Sequence, residues 1–307
     1  MEPHLHSPVD CHRYQIFQPL PFSHSRYLKI KFNQVKYRFR TNSPYISGDS
    51  IASLTDYIAY GPFKNRKLNL FKTKRARSIF VPGDMLQRFL IESDGYLRAS
   101  TLVTGNSDAN FVQPIVIPES IKLWLCQNNG MPQKEGVLTL PIGIENLRLG
   151  RTGIPHYYKR HEPDAIVNKV LVPPMSNTNP IRVQVVLNAK AMPDLFDVRT
   201  QLLNEVEYFT LTRKFKFIFS CEGNGFENHR IWETLYQGSF PVVLKTPWSW
   251  SLRYLNLPIL YVSNLEEITP SKLEKFAKSH INFSPESTPT LWTPYWKRLI
   301  ERAYTEI

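Results

Sequence analysis

Residues 214–244 limit the possible folds of this chain more than any other segment, because they combine a strand, a glycine turn, a helix and a second strand. The run 215–219 is aromatic and β-branched, and Gly223 and Gly225 follow it, which predicts a buried strand that ends in a tight turn. Residues 228–237 then place apolar side chains at helical spacing. A strand, a turn and a helix in this order are typical of nucleotide-binding α/β domains.

The start of this predicted helix is a candidate anion site. Its first backbone N–H groups lack helical partners, and the helix dipole adds to their attraction for an anion. Arg230 lies in the first turn, where a cation opposes the dipole, so a bound diphosphate would explain its position. Glu233 lies one turn further on and could accept hydrogen bonds from a ribose. A solvated ion pair of Arg230 with Glu227 or Glu233 explains the helix equally well, and the glycines favour the anion.

The pattern of a glycine turn followed by HRIWETLYQGSFPVV resembles the nucleotide-sugar-binding segment of exostosin-like glycosyltransferases and, more weakly, that of α-1,3-fucosyltransferases. The resemblance implies that Arg230 contacts the donor pyrophosphate and Glu233 the ribose, while Gly223 and Gly225 admit close approach of the backbone. A more diffuse similarity to bacterial and viral polysaccharide glycosyltransferases extends through SPYISGDS, TGNSD and LPIGIEN.

One further arginine is a candidate for the phosphates. Arg199 lies near the start of the preceding predicted helix, although a plain surface arginine is an equally good interpretation. The sequence Ser-Cys-Glu that ends at Glu222 departs from the family pattern, so the role of Glu222 stays open. The predicted donor-binding residues are Arg199, Glu222, Gly223, Asn224, Gly225, His229, Arg230 and Glu233.

The rest of the chain predicts two α/β halves. In the first half the candidate strands are KYRFRTN, SIFVPG, ASTLVTG, IKLWLC and VLTLPIGI, and the candidate helices are SIASLTDYIAY and DMLQRFLIES. This alternation is expected of a mostly parallel sheet. Residues 151–180 interrupt it and predict a linker. The second half restarts with IRVQVVLNA and continues with a helix near 195–208, FKFIFS, the motif helix, PVVL, PILYV and the helices SKLEKFAK and TPYWKRLIERA.

We therefore expect an α/β protein with two Rossmann-like domains that face a cleft, the arrangement called GT-B. Residues 1–155 would form the acceptor-side domain and residues 156–307 the nucleotide-sugar-binding domain, with the last helix able to pack back on the first. Ligands of such sheets bind beyond the carboxyl ends of the strands, where the glycine turn is predicted to lie.

The formal net charge of +12 implies anionic partners. Much of this charge lies in residues 64–77, KNRKLNLFKTKRAR, which we call the basic strip. It could be a solvated loop, a nucleic-acid patch, or a surface that touches an anionic membrane bearing a lipid-linked acceptor. No zinc-finger spacing, RNP-like motif or helix-turn-helix signature indicates a dedicated nucleic-acid function.

Several features favour a soluble, cytoplasmic enzyme, with a peripheral membrane contact left open. Because most animal exostosin-like enzymes carry a membrane anchor, the resemblance then implies a bacterial or viral origin. The 307 residues are 42% hydrophobic, enough for substantial cores. No apolar run approaches the roughly 20 residues that span a bilayer, and MEPHLHSPVDCHRY has no signal-peptide pattern. Three cysteines without a CxxC pair argue for a reducing compartment and against a zinc site.

The absence of an Asp-x-Asp motif predicts metal-independent chemistry, in which arginines and backbone N–H groups stabilise the leaving diphosphate. Exostosin-like enzymes invert the anomeric centre, which implies a carboxylate or imidazole base. Asp49 and Asp108 are the predicted catalytic residues, chosen among strand-end carboxylates that also include Asp84 and Glu145. Helix capping is an alternative for Asp49 and the better interpretation for Asp84. Asn106 and Asn128 could line the acceptor side.

The predicted function is an inverting, metal-independent glycosyltransferase. It would move a sugar from a nucleoside diphosphate to a hydroxyl of a glycan or glycoprotein, with no cofactor besides the donor. A UDP-sugar such as UDP-xylose is favoured and a GDP-sugar stays open. The alternative is a non-catalytic polyanion- or nucleotide-binding module that uses the basic strip. A sugar-nucleotide oxidoreductase is disfavoured because no GxGxxG follows a first strand.

Overall fold

A computed structural model of the chain describes residues 40–61, 66–159 and 166–303. These residues form two five-stranded sheets in which every pairing is parallel, with helices packed around them. The prediction of an α/β fold is therefore confirmed. Most of the predicted strand KYRFRTN, Lys64 of the basic strip and Cys11 lie outside the described residues.

The first sheet follows the chain in simple sequence. Its strands are β1 (Tyr57–Ile58), β2 (Ser78–Pro82), β3 (Thr101–Gly105), β4 (Leu123–Cys126) and β5 (Val137–Thr139), in the order β1-β2-β3-β4-β5. Phe80, Val103 and Leu125 are register partners whose side chains enter one core, and their neighbours enter another. Both faces are covered, which explains why these strands are continuous apolar runs.

The helices of the first half are α1 (Gly48–Ala52), α2 (Leu70–Arg75) and α3 (Leu86–Glu92). The predicted helix SIASLTDYIAY is wrong in its second part, because α1 ends at Ala52 and Tyr57–Ile58 pairs with β2 as an edge strand. Ser53 and Thr55 end the helix, since their hydroxyls bond to backbone carbonyls one turn back. Ser47 is the N-cap of α1, so Asp49 is not.

The second sheet reverses its order. Its strands are β6 (Val167–Val172), β7 (Phe196–Val198), β8 (Phe215–Phe219), β9 (Phe240–Leu244) and β10 (Leu260–Val262), in the order β10-β9-β8-β6-β7. The chain thus adds β7 on one side of β6 and the later strands on the other. The gap between the carboxyl ends of β6 and β8 is a topological switch point, where open α/β sheets bind their ligands.

The second half begins differently from the prediction. Strand β6 lies inside the predicted linker, and IRVQVVLNA belongs to helix α4 (Pro180–Lys190), with Asn179 as N-cap and Pro180 at the first position. The predicted helix near 195–208 is divided between β7 and α5 (Glu205–Thr212). The helix α5 begins late because Asn204 and Glu207 form its capping box.

The motif segment has the predicted structure. Strand β8 leads through the glycines to α6 (His229–Tyr236), capped by Asn228, and β9 follows. Gly238 has a φ of 77°, the left-handed conformation that a glycine allows after a helix. The remaining helices are α7 (Pro247–Ser251), α8 (Pro270–Ser279) and α9 (Thr293–Arg302). Among the described helices, none is both long and apolar enough to cross a bilayer.

The two sheets share one hydrophobic core. A single cluster of buried side chains joins Phe80 and Leu125 of the first sheet to Trp232 of α6 and Trp296 of α9. The last helix lies against the first half, and the N–H of Thr293 donates to the carbonyl of Pro44 at 2.9 Å. The strands of the two sheets fall on either side of the predicted division at 155/156. The division into domains stays a prediction.

Candidate functional site

A cavity of about 310 Å³ lies at the switch point of the second sheet. We call it the switch-point pocket. Elements that follow β6, β7 and β8 form most of it, and the first half closes one side. The lining residues are Glu145, Arg151, Thr152, Pro174, Arg182, Leu202, Leu203, Glu205, Tyr208, Asn228, His229, Arg230 and Glu233.

Arg182 is a buried cation with neutral partners. It lies in the first turn of α4 and is 7% exposed. Its Nε donates to the carbonyl of Glu222 at 2.7 Å, and its Nη1 donates to the carbonyl and hydroxyl of Ser176 at 3.0 and 3.1 Å. Burial, and then the charge of Arg230, lower the pKa of Arg182. The charge of each guanidinium group therefore disfavours that of the other.

Arg230 faces the same pocket from the first turn of α6. Its Nη2 donates to the carbonyl of Pro174 at 2.9 Å, and its Nε lies 3.4 Å from the hydroxyl oxygen of Tyr208. Burial opposes its charge, but Tyr208 and Glu233 outweigh burial and the pKa of Arg230 is raised. In the described part of the chain no ion pair joins Arg230 to Glu227 or Glu233, so the ion pair considered for this helix does not form.

Arg182 is buried and Arg230 is partly buried, and two like charges in one pocket are costly unless anions compensate them. Among the oxygen atoms of the described residues, none accepts a hydrogen bond from Nη2 of Arg182 or Nη1 of Arg230. Each arginine therefore keeps donors that no oxygen of these residues takes up, and for Arg182 the Cys221 thiol is a further neighbour. Planar guanidinium groups bind phosphate oxygens with two donors at once, and the arrangement suits a diphosphate.

The pocket also carries acids and an imidazole. Glu233 is 4% exposed and accepts a hydrogen bond from the Tyr208 hydroxyl at 3.0 Å, and burial raises the pKa of Glu233. Glu145 is paired with Arg151. The Nδ1 of His229 lies 2.8 Å from the carbonyl oxygen of Gly143. A carbonyl only accepts, so this nitrogen carries the proton and the Nε2 of neutral His229 can accept one.

The glycine turn, residues 223–225, makes room for side chains of the protein itself. A Cβ on Gly223 would lie 2.8 Å from Nη2 of Arg182, and one on Gly225 would lie 2.7 Å from Nδ2 of Asn128. Asn128 also accepts a hydrogen bond from the N–H of Glu227 at 2.9 Å, which holds the turn against the first half. The turn thus positions Arg182 instead of presenting bare backbone to the pocket.

Two other residues of the motif segment lie away from the pocket. Asn224 is exposed. The Glu222 side chain lies beside Thr246 at a separate small cavity, and only its carbonyl contributes, by holding Arg182. The N-cap Asn228 accepts a hydrogen bond from the N–H of Arg230 at 2.9 Å. One of the backbone donors that the sequence offered to an anion is therefore already used.

The structure does not bring Arg199 to the switch-point pocket. It follows β7, outside any helix, and its Nε and Nη2 donate to the two carboxylate oxygens of Asp197 at 2.5 and 2.9 Å. Arg199 lines a second groove, together with Val206 and Thr210 of α5. Val206 and Thr210 lie on the opposite face of α5 from Tyr208, and the two cavities have Leu203 as a common lining residue.

The predicted bases of the first half lie outside the pocket. Asp49 is paired with Arg148 at 2.7 Å and accepts a hydrogen bond from Asn106 at 3.0 Å. Asp108 and Asp84 are exposed. Of the strand-end carboxylates considered, Glu145 alone is among the lining residues.

Glu227 is a buried carboxyl group next to the glycine turn. One oxygen accepts hydrogen bonds from the N–H of Ile142 at 3.0 Å and the indole of Trp232 at 2.7 Å, and the other has no partner. Burial raises the pKa of Glu227 to about 8. Its hydrogen bond with Ile142 is another contact between the motif segment and the first half.

Sequence reasoning missed Arg182, Tyr208, Arg151 and Thr152. A signal for Arg182 exists, because Asn179-Pro180 is an N-cap followed by a first-turn proline. With that signal, residues 180–190 would have been predicted as a helix that carries an arginine in its first turn, as α6 does. No local pattern indicates that Tyr208 or Thr152 reaches the pocket, since both arrive through tertiary packing.

No protein-family model matches the chain, and a comparison with curated proteins finds no match. The resemblance to exostosin-like glycosyltransferases therefore stays a prediction.

Proposed function

We propose that this protein is an inverting, metal-independent glycosyltransferase of the GT-B type. It transfers a sugar from a nucleoside diphosphate, with a UDP-sugar favoured and a GDP-sugar the alternative, to a hydroxyl of a glycan or glycoprotein. One observation carries the proposal: Arg182 and Arg230 face a common pocket at the strand reversal, and all the hydrogen-bond partners of both are neutral.

The diphosphate binds between the two guanidinium groups. A pocket of about 310 Å³ lies at the lower end of the range for small-molecule sites, which suits a diphosphate with part of its nucleoside and sugar. Residues of the first half, Glu145 and Thr152, also line the pocket. The acceptor reaches the sugar from that side.

The arginines also serve the chemical step. When the bond between the anomeric carbon and the donor oxygen breaks, its electron pair leaves with the diphosphate. Fixed donors in a site that excludes water stabilise this charge, and each is worth a few kcal/mol in known enzymes. Arg182 and Arg230 are placed to do this.

His229 is the base in this proposal. The acceptor hydroxyl attacks the anomeric carbon from the side opposite the diphosphate, and this attack inverts the configuration of that carbon. The hydroxyl gives its proton to Nε2 of His229. The contact of Nδ1 with Gly143 keeps the imidazole in the accepting tautomer. Asp49 and Asp108, the bases predicted from sequence, do not line the pocket.

Titration calorimetry against UDP, GDP, CMP and ADP, with and without a chelator, tests the binding part. We expect one diphosphate to bind with chelator-insensitive affinity, and Arg230→Ala to weaken it about a hundredfold. Arg199→Ala is the matched control and should bind as the wild type does. Binding to none of the nucleotides, or equal binding by Arg230→Ala, would instead support the polyanion-binding alternative.

Donor turnover tests the catalytic part. His229→Ala should retain the affinity for the preferred diphosphate, while kcat for release of that diphosphate from its sugar donor falls about a hundredfold. A full loss of diphosphate binding in this variant would mean that His229 binds the donor and is not the base.

A further inference from the structure

The basic strip carries an exposed apolar pair at its centre. Helix α2 presents Leu70 and Phe71 to solvent, and Phe71 is 68% exposed. Successive helix residues are turned by about 100°, so Phe71 lies in the middle of the exposed arc, with Lys74 and Arg75 on either side of it. The buried Thr73 marks the inner side.

Most of the positive charge around this pair has no ion-pair partner among the described residues. Residues 66–77 contain six lysines and arginines and no acidic residue, and all six are exposed. Asp56 lies near one end of the strip, 3.9 Å from Nε of Arg77. Within the described ranges, Lys72, Lys74 and Arg75 take part in no ion pair.

A purely structural explanation accounts for only part of this arrangement. Lys74 and Arg75 suit the last turn of a helix because they complement the helix dipole. The dipole does not explain Arg66 and Lys67, which precede α2. Single exposed apolar residues are common, but Leu70 and Phe71 are adjacent and are surrounded by cations, as in segments that lie in a membrane interface.

We infer that residues 66–77 form a surface that binds an anionic lipid bilayer. Phe71 and Leu70 enter the boundary between headgroups and acyl chains, and the surrounding cations contact lipid phosphates. Each cation near such a surface adds to the attraction. The helix has six residues, so it lies on the bilayer and does not span it.

A lipid surface fits this patch better than a nucleic acid does. Both would use the cations, and Phe71 could stack on a base. The guanidinium of Arg75, however, already lies over the Phe71 ring at 5.1 Å from its centre. The aliphatic Leu70 gains from an acyl boundary and offers nothing for a base to stack on.

Vesicle co-sedimentation of the full chain tests the inference. The protein should bind vesicles that contain phosphatidylglycerol and not vesicles of phosphatidylcholine alone. Lys72→Glu, Lys74→Glu and Arg75→Glu together should lower the partition coefficient about a hundredfold. Phe71→Ala should lower it about tenfold while the charge is unchanged.

A matched variant separates this patch from the general charge of the protein. Lys275→Glu, Lys278→Glu and Lys297→Glu together change the net charge equally at exposed positions on α8 and α9 and should leave binding within a factor of about two. In Phe71→Trp, vesicles should shift the tryptophan emission to the blue, whereas Ile91→Trp, at an exposed site on α3, should not respond.

Equal loss in the two triple variants, or no effect of Phe71→Ala, would overturn the inference. So would binding to a single-stranded oligonucleotide without binding to vesicles, which would assign the patch to nucleic acid. Nucleoside-diphosphate affinity should be unchanged in all these variants, because the patch lies on the first half away from the switch-point pocket. A failure of the vesicle experiment therefore leaves the nucleoside-diphosphate affinity, and with it the proposed function, untouched.

Discussion

The two sheets of this protein have the same number of parallel strands but differ in strand order and in what lies beyond their carboxyl ends. The first sheet adds its strands in sequence, and beyond its carboxyl ends Asp49 is held by Arg148 and Asn106. The second sheet reverses at β6, and the reversal holds Arg182 and Arg230 without a carboxylate partner. A reversal opens a crevice, and at the second sheet this crevice is the switch-point pocket, which both arginines line.

The largest change in stability is expected at the core between the two sheets, and it tests whether the sheets unfold as one cooperative unit. Trp232 is fully buried in the core that they share, so Trp232→Ala should lower the free energy of unfolding by about 3–5 kcal/mol. Hydrogen exchange should then quicken in the central strands of both sheets. Loss of protection in the second sheet alone would show that the halves fold separately.

A second tryptophan provides the control for this variant. Trp250 is 41% exposed on α7, and Trp250→Ala should cost less than about 1 kcal/mol.

The buried carboxyl group of Glu227, which accepts hydrogen bonds from Ile142 and Trp232, predicts a pH dependence of stability. Its pKa is about 8 in the folded protein against 4.5 for a free carboxyl group. Between these values the folded state holds a proton that the unfolded state has lost. The contribution of Glu227 to stability is therefore complete below pH 4.5, falls by about 1.4 kcal/mol per pH unit up to about 8, and is constant above that.

Glu227→Gln isolates this contribution. Denaturant titrations of the wild type and the variant across this pH range should give a difference that changes with that slope. Parallel stability curves would mean that Glu227 is ionised in the folded protein.

The glycine turn predicts an effect on binding of intermediate size. In Gly223→Ala the new methyl group would lie 2.8 Å from Nη2 of Arg182 and would displace it, so the affinity for the preferred nucleoside diphosphate should fall about tenfold. Gly225→Ala meets Asn128 instead, which does not line the pocket, and calorimetry should show a smaller loss of affinity. A larger loss of affinity in Gly225→Ala than in Gly223→Ala would place the ligand near Asn128.

The smallest effect on binding is expected at Asp49. Asp49→Asn keeps the shape of the side chain but removes its charge beside Arg148, which should lower stability by about 1–3 kcal/mol. Diphosphate affinity and donor turnover should stay within a factor of about two, because Asp49 does not line the switch-point pocket. A loss of turnover by two orders of magnitude, with unchanged affinity, would restore Asp49 as the base.

The sequence predicted those parts of the fold that local patterns specify. The segment from β8 to β9 was predicted correctly because its apolar spacing, its N-cap and Gly238 agree. The segment IRVQVVLNA was misjudged because its β-branched residues favour a strand, while the cap at Asn179 and Pro180 at the first position favour the helix that forms.

The candidate site was predictable only in part. His229, Arg230 and Glu233 come from one helix, so their spacing was enough to group them. Arg182 joins them because β6 and β8 are neighbours in the sheet, and strand order is a property of the whole fold that local periodicity does not contain. The partners of Asp49 are likewise distant in sequence, and its ion pair with Arg148 could not be predicted from the loop that carries it.

The most direct test of the central claim compares one arginine from each sheet. Calorimetry with the preferred nucleoside diphosphate should show that Arg182→Ala weakens binding about a hundredfold, while Arg148→Ala, at the network of Asp49, stays within a factor of about two, with circular dichroism confirming that both variants fold. Loss of affinity in Arg148→Ala with wild-type affinity in Arg182→Ala would place the ligand at the first sheet and contradict the account.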